Sequence, residues 1–195
     1  PRHGAVVIAG ATNVGKTLVG LEACSSVITG NPLWGQLRPA FAGKRVLYLL
    51  GEHNIDVLQR LCYKTKLAMS DQVIVVGPEQ LKLDKWLVSN GHVNPTSVAK
   101  FERWAEGCDL IVVDPLSAFV CGVDVENDNA LMRLLLQTIN DIATGAGAAC
   151  IVLAHQGKPS IDIYGKEHTR SKYAIRGASS LEDTATHIFY MDKVT

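Results

Sequence analysis

The chain has 195 residues, 47% apolar and 19% charged, with 19 basic against 19 acidic side chains and no net charge. That is one domain, large enough to bury most of its own core, and its globular apolar content with ordinary Gly and Pro excludes collagen-like, disordered and coiled-coil chains. Zero net charge excludes a protein whose whole surface coats a polyanion, so any nucleic-acid contact must be local.

The five cysteines, Cys24, Cys62, Cys108, Cys121 and Cys150, are an odd number with no CxxC spacing, and most lie in apolar runs. They read as small buried hydrophobes of a reducing compartment, so a cytoplasmic location is expected. No apolar run approaches the length needed to cross a bilayer, and no signal-peptide pattern opens the chain. Residues 1–195 are expected to be a single domain, cut at both ends from something longer.

Ala5 to Ile8 reads as a short buried strand, followed by a glycine-bounded turn and a helical pattern from Lys16 to about Ile28. Arg45 to Leu50 is a second strand, and Ile55, Leu58, Leu61 and Tyr63 give a helix from about Asn54 to Ala68. Val73 to Val76 is a third strand, stopped by Gly77-Pro78. A helical connection is expected between Leu81 and Gly107, with Pro95 opening its better half. Asp109 to Val113, Ala149 to Leu153 and His187 to Met191 supply three more strands, and an apolar-striped helix spans about Asn127 to Thr144. Each strand is a continuous rather than alternating apolar run, as strands buried on both faces are. The predicted fold is therefore α/β, a mostly parallel sheet with helices on both faces, and such sheets bind ligands at the carboxyl ends of their strands. Asn31 to Lys44 and Gln156 to Ile175 read as functional loops.

Gly10-Ala11-Thr12-Asn13-Val14-Gly15-Lys16-Thr17 fits the pattern GxxxxGK(S/T) in full, between a strand and a helix as its chemistry requires. The amides of such a loop and the positive end of the helix dipole surround a β-phosphate, Lys16 bridges β- and γ-oxygens, and the Thr17 hydroxyl holds Mg2+. Asp114 closes the strand LIVV at its carboxyl end, where an acid can fix Mg2+ through water; strand-ending punctuation is the plainer alternative. Glu52 follows the strand RVLYLL at the same edge and is the candidate general base for the attacking water, against capping of the next helix. His155 and Gln156 end another strand there, and either can sense a γ-phosphate or be a rim residue. Arg176 precedes Gly177-Ala178-Ser179-Ser180-Leu181, a helix start where a cation opposes the macrodipole. Its anion is either a neighbouring subunit's γ-phosphate, making it an arginine finger in trans, or Glu182 or Asp183.

In order, GATNVGKT, NPLWGQ, VLYLLGE, LIVVDPLSAF, IVLAHQGK and RGASSLEDT resemble the successive motifs of the RecA-like P-loop ATPases of the RepA-type hexameric replicative helicases of plasmids and phages, over nearly the whole chain. The resemblance implies a RecA-like P-loop NTPase core that binds ATP and Mg2+ through Lys16, Thr17 and Asp114, with Glu52 catalytic and a sensor at His155 or Gln156. It further implies that Arg60 lies against the adenine ring and that Arg176 acts in trans within a homo-oligomeric ring, a hexamer. Family members often have an acid after the catalytic glutamate and a second His after the first, where this chain has His53 and Gln156.

In RecA-like rings the loops after the fourth and fifth strands face a central channel. The second of these, from Gln156 through Arg176, carries Lys158, Lys166, Arg170, Lys172 and Arg176 against Asp162 and Glu167, with Tyr164 and Tyr173 interleaved. Cationic loops with stacking aromatics suit single-stranded DNA; a solvated loop of ordinary Lys content is the alternative. The other, about Leu116 to Asp128, contains Asp124, Glu126 and Asp128 and is a poor phosphate contact. ATP hydrolysis coupled to translocation or unwinding of DNA in replication is the expected function. Its rivals are a filament-forming recombination or annealing ATPase, and a regulatory switch without DNA binding. A small P-loop kinase shares the loop, but Glu52, the long polar loop and Arg176 stand against it.

Overall fold

The computed structural model describes residues 4–39, 43, 45–52, 55–67, 70–77, 80, 87–89, 92–121, 129–155, 160–161, 167–168 and 183–192. In chain order the strands are β1 (Ala5–Gly10), β2 (Val46–Leu50), β3 (Val73–Val76), β4 (Val88–Ser89), β5 (His92–Val93), β6 (Leu110–Asp114), β7 (Val120–Cys121), β8 (Ala149–His155), β9 (Ser160–Ile161), β10 (Glu167–His168) and β11 (His187–Met191). The helices are α1 (Lys16–Thr29), α2 (Ile55–Lys64), α3 (Pro95–Ala105) and α4 (Asn129–Ala146), with a 3-10 turn at Leu116–Phe119.

Six strands form one sheet in the order β11-β1-β8-β6-β2-β3, and every neighbouring pair is parallel. The reason is visible in the side chains. All five residues of β2 and all five of β6 are buried, so neither face of the sheet can be left to water. Val46, Tyr48 and Leu50 pack on one face with Leu21, Cys24, Leu58 and Cys62 of α1 and α2. Their neighbours Leu47 and Leu49 belong to the core of the opposite face, with Phe101 of α3 and Leu135, Leu136 and Ile139 of α4. The result is an α/β fold of three layers, as the continuous apolar runs predict.

Helix ends follow local chemistry. Asn94 caps α3, its side chain accepting from Thr96 N at 3.1 Å and Ser97 N at 3.3 Å, and Pro95 takes the first helical position. α2 stops at Lys64, short of the expected Ala68. Lys66 turns to φ 55, Leu67 N donates to Cys62 O at 3.0 Å and Lys66 N to Tyr63 O at 3.3 Å. This is a Schellman-type closure with buried Leu67 as its apolar contact, built on a lysine where a glycine would have announced it.

The expected helical connection from Leu81 to Gly107 is corrected at residues 88–89 and 92–93, while residues 81–86 and 90–91 lie outside the described residues. Val88–Ser89 and His92–Val93 pair antiparallel instead, and β4 also pairs with β7 beyond the end of β6. Tertiary pairing there outweighs a weak helical pattern.

Candidate active site

Because β1, β8, β6 and β2 are adjacent and parallel, their carboxyl ends meet along one edge. β8 lies between β1 and β6, so His155, opposite Gly10 in register, sits between the glycine loop and Asp114, while Leu50 is opposite Asp114. Residues far apart in sequence, from Gly10 to His155, are therefore gathered by topology alone.

The loop from Gly10 to Thr17 leads from β1 into α1. Asn13 takes φ 63 and Gly15, the residue before the helix, takes φ 98, a left-handed conformation that favours glycine. No side chain caps the amino end of α1 and no acid occupies its first turn. The first amides of the helix thus present a positive end without a built-in anion, as a phosphate-binding loop requires. Thr17 stands half-buried in that first turn, and Ala11, Thr12 and Asn13 are exposed.

Lys16 is 6% exposed, and its Nζ donates to Gly10 O at 2.9 Å and Ala11 O at 2.8 Å. Burial lowers its pKa below the ordinary range, and the charges of Asp114 and Glu52 pull in the opposite direction. An ammonium folded back on its own loop, with two carboxylates acting on it, is ready to exchange carbonyl oxygens for phosphate oxygens.

Asp114 is 4% exposed, and its Oδ2 accepts a hydrogen bond from Tyr48 Oη at 2.6 Å. Burial, and then the charge of Asp114, raise the Tyr48 pKa well above its usual value, so the phenol is the donor. Just beyond β2, Gly51 N donates to Asp114 O at 2.7 Å, and a Cβ at Gly51 would collide with Cβ of Ala118. That close approach carries the chain past the end of β6 and delivers Glu52, whose Oε2 lies 3.3 Å from His155 Nε2. The contact links a group after β2 to the end of β8, across the strand that bears Asp114.

The edge therefore brings together Gly10, Lys16, Glu52, Asp114 and His155. Arg60 lies exposed on α2, the helix that follows Glu52. Gln156, Lys158, Lys166, Arg170, Lys172 and Arg176 lie outside the described residues. Asp183, one of the two acids weighed as a partner for Arg176, accepts from Arg133 Nη2 at 2.8 Å. Tyr48 is the site residue that sequence reasoning missed, because one aromatic inside the apolar run VLYLL looks like core.

The residues fit a nucleotide with Mg2+. Among the described residues no group of three or more His, Cys, Asp or Glu is placed to hold a metal. Mg2+ in phosphate sites needs no such cage, since phosphate oxygens, water, a hydroxyl and one carboxylate suffice, and Thr17 and Asp114 offer the last two. Among the described residues no helix is long and apolar enough to cross a membrane.

Parallel sheet, glycine loop and strand-end carboxylate together define a P-loop nucleotide-binding domain. A family model described as an AAA domain matches residues 1–160, most of the chain, and the chain belongs to that family of P-loop ATPases. No curated protein matches it.

Proposed function

We propose that this ATPase turns over MgATP and couples that turnover to movement along single-stranded DNA, as the RepA-type helicases it resembles do. The observation that carries the reading is the contact of Glu52 with His155 at 3.3 Å. It joins the candidate base to the strand that runs directly into the basic segment from Gln156 to Arg176.

In the reaction, Lys16 leaves the carbonyls of Gly10 and Ala11 for the β- and γ-phosphate oxygens, while the amides at the start of α1 hold the β-phosphate. The carboxylate of Glu52 orients the attacking water and takes its proton as oxygen bonds to the γ-phosphorus and the bond to the bridging oxygen breaks, releasing ADP and phosphate. Bound Mg2+ supplies neutralising charge at the phosphate oxygens. His155, paired with Glu52 before nucleotide arrives, exchanges that partner as the γ-phosphate enters, and the end of β8 transmits its presence or loss to the segment beyond. In this scheme Gln156 shares the sensor position, and Arg60 lies against the adenine ring of the nucleotide.

Arg176 completes the site of a neighbouring subunit in a ring, and Lys158, Lys166, Arg170 and Lys172 contact the phosphates of the strand. The excess of basic side chains in this segment, within a neutral chain, supports that assignment. Cys24, Cys62, Cys108 and Cys150 are free and buried, which suits a reducing cytoplasm.

ATP-dependent strand displacement on a tailed duplex tests the coupling. Wild type should displace the strand, and mixing inactive Arg176→Ala with inactive Glu52→Gln should restore part of the activity through composite sites. Single-strand binding with stimulated hydrolysis but no displacement would favour the filament-forming rival. Hydrolysis and assembly indifferent to DNA would favour the switch.

A further inference from the structure

We infer that Tyr48 is a positioning residue for the metal end of the nucleotide site: its hydroxyl fixes the rotation of the Asp114 carboxylate, and Gly20 of α1 keeps the space in which it does so. The inference rests on the proposed MgATP chemistry and adds a residue that neither the loop motif nor the family match assigns.

Tyr48 and Asp114 stand on adjacent parallel strands, with Tyr48 opposite Val112 and Leu50 opposite Asp114. Tyr48 is thus one pleat behind the carboxylate's own partner, on the same face of the sheet, and a tyrosine leaning along its strand is long enough to span that diagonal. It does so with a bond of 2.6 Å between two nearly fully buried groups. That is the short range of hydrogen bonds to ionised carboxylates.

A free aspartate rotates readily about its terminal torsion, which has broad wells. Here the bond to Oδ2 restrains that rotation and leaves Oδ1 for the magnesium shell. It also opposes the alternative open to a buried carboxylate near a lysine, a turn toward Lys16, whose charge already interacts with it. Groups that orient a metal-site carboxylate typically change metal affinity without touching the metal.

The second observation comes from α1. Gly20 follows Lys16 by four positions and so lies on the same helix face one turn on. A Cβ there would stand 3.2 Å from Val112 Cγ1, 3.3 Å from Leu153 Cδ1 and 3.3 Å from Tyr48 Oη. Glycine in a helix interior is unfavourable by about 0.5–1 kcal/mol relative to alanine. At this position it lets the helix carrying Lys16 and Thr17 close onto the phenol. Helix α1 and the adjacent strands β2 and β6 thereby fix the relative placement of the hydroxyl, the carboxylate and the phosphate loop.

The test is binding of a fluorescent ADP to the whole chain, titrated with Mg2+ and repeated in EDTA, for wild type, Tyr48→Phe and Gly20→Ala. Tyr48→Phe should raise the Mg2+ concentration giving half the gain in nucleotide affinity by about 10- to 100-fold, with affinity in EDTA unchanged. Gly20→Ala, which keeps both polar groups and crowds the hydroxyl, should shift that midpoint in the same direction. Equal loss of affinity with and without Mg2+ would show that Tyr48 merely supports the loop and would overturn the inference, as would an unshifted Mg2+ midpoint. Wild-type affinity indifferent to Mg2+ would instead overturn the metal site itself, and the inference with it.

Discussion

Gly15 and Gly145 make a matched pair in which only backbone conformation differs. A Cβ at Gly145 meets nothing within 4 Å, and one at Gly15 meets only Met191 Cε at 4.0 Å, so neither substitution is crowded. Gly145 lies exposed in α4, whereas Gly15 holds φ 98. Gly145→Ala should therefore stabilise by about 0.4–1 kcal/mol, through reduced freedom of the unfolded chain. Gly15→Ala should cost about 1–2 kcal/mol, the penalty of a Cβ in the left-handed region. The two variants should differ by about 1.5–3 kcal/mol, which for a chain of this length separates their melting temperatures by about 3–12 °C. Nucleotide-free calorimetry or urea unfolding reads this directly. Both variants moving the same way, or Gly15→Ala leaving stability unchanged, would refute the left-handed loop conformation on which the phosphate site depends.

Lys16→Ala should abolish the thermal shift on adding MgADP, whereas wild type should gain about 2.7 kcal/mol at a ligand concentration 100 times Kd; a preserved shift would contradict the phosphate site. Burial holds the Lys16 pKa below its ordinary 10.5, so the unfolded chain binds this proton more tightly. Its contribution to nucleotide-free stability should accordingly rise with pH between the folded-state pKa and 10.5, a rise that urea midpoints should show and that Lys16→Met should remove. Leu136→Ala, at a fully buried position of α4, should cost about 2–5 kcal/mol by leaving a cavity, as urea unfolding would measure. Arg133→Ala breaks an ion pair whose side chains are 55% and 64% exposed, and unfolding should show a loss of at most about 1 kcal/mol.

Much of the fold was legible because its strands are buried on both faces. Val73–Val76 and His187–Met191 were predicted with the bounds they have, and Pro95 was read as a helix start. What was illegible depends on contacts rather than on period. The β4–β5–β7 ladder consists of two-residue strands, too short for any alternation to register, and β4 pairs with β7 across about thirty residues of chain. The end of α2 hides behind a lysine in a left-handed conformation. In the site, the loop from Gly10 to Thr17 and the strand-end positions of Asp114 and Glu52 can be placed from sequence, since motif and strand together locate the edge. The order that sets His155 between Gly10 and Asp114 is a property of the assembled sheet. The role inferred for Tyr48 likewise has no sequence signature, because a core tyrosine and a carboxylate-orienting one are the same letter in the same apolar run.

Steady-state ATP hydrolysis by the wild type and by Glu52→Gln, each with and without single-stranded DNA, tests the central claim most directly. The account predicts hydrolysis by the wild type that DNA stimulates strongly, and a variant that binds nucleotide yet does not turn it over under either condition. Normal turnover by Glu52→Gln would contradict its role as the base, and wild-type hydrolysis indifferent to DNA would contradict the coupling.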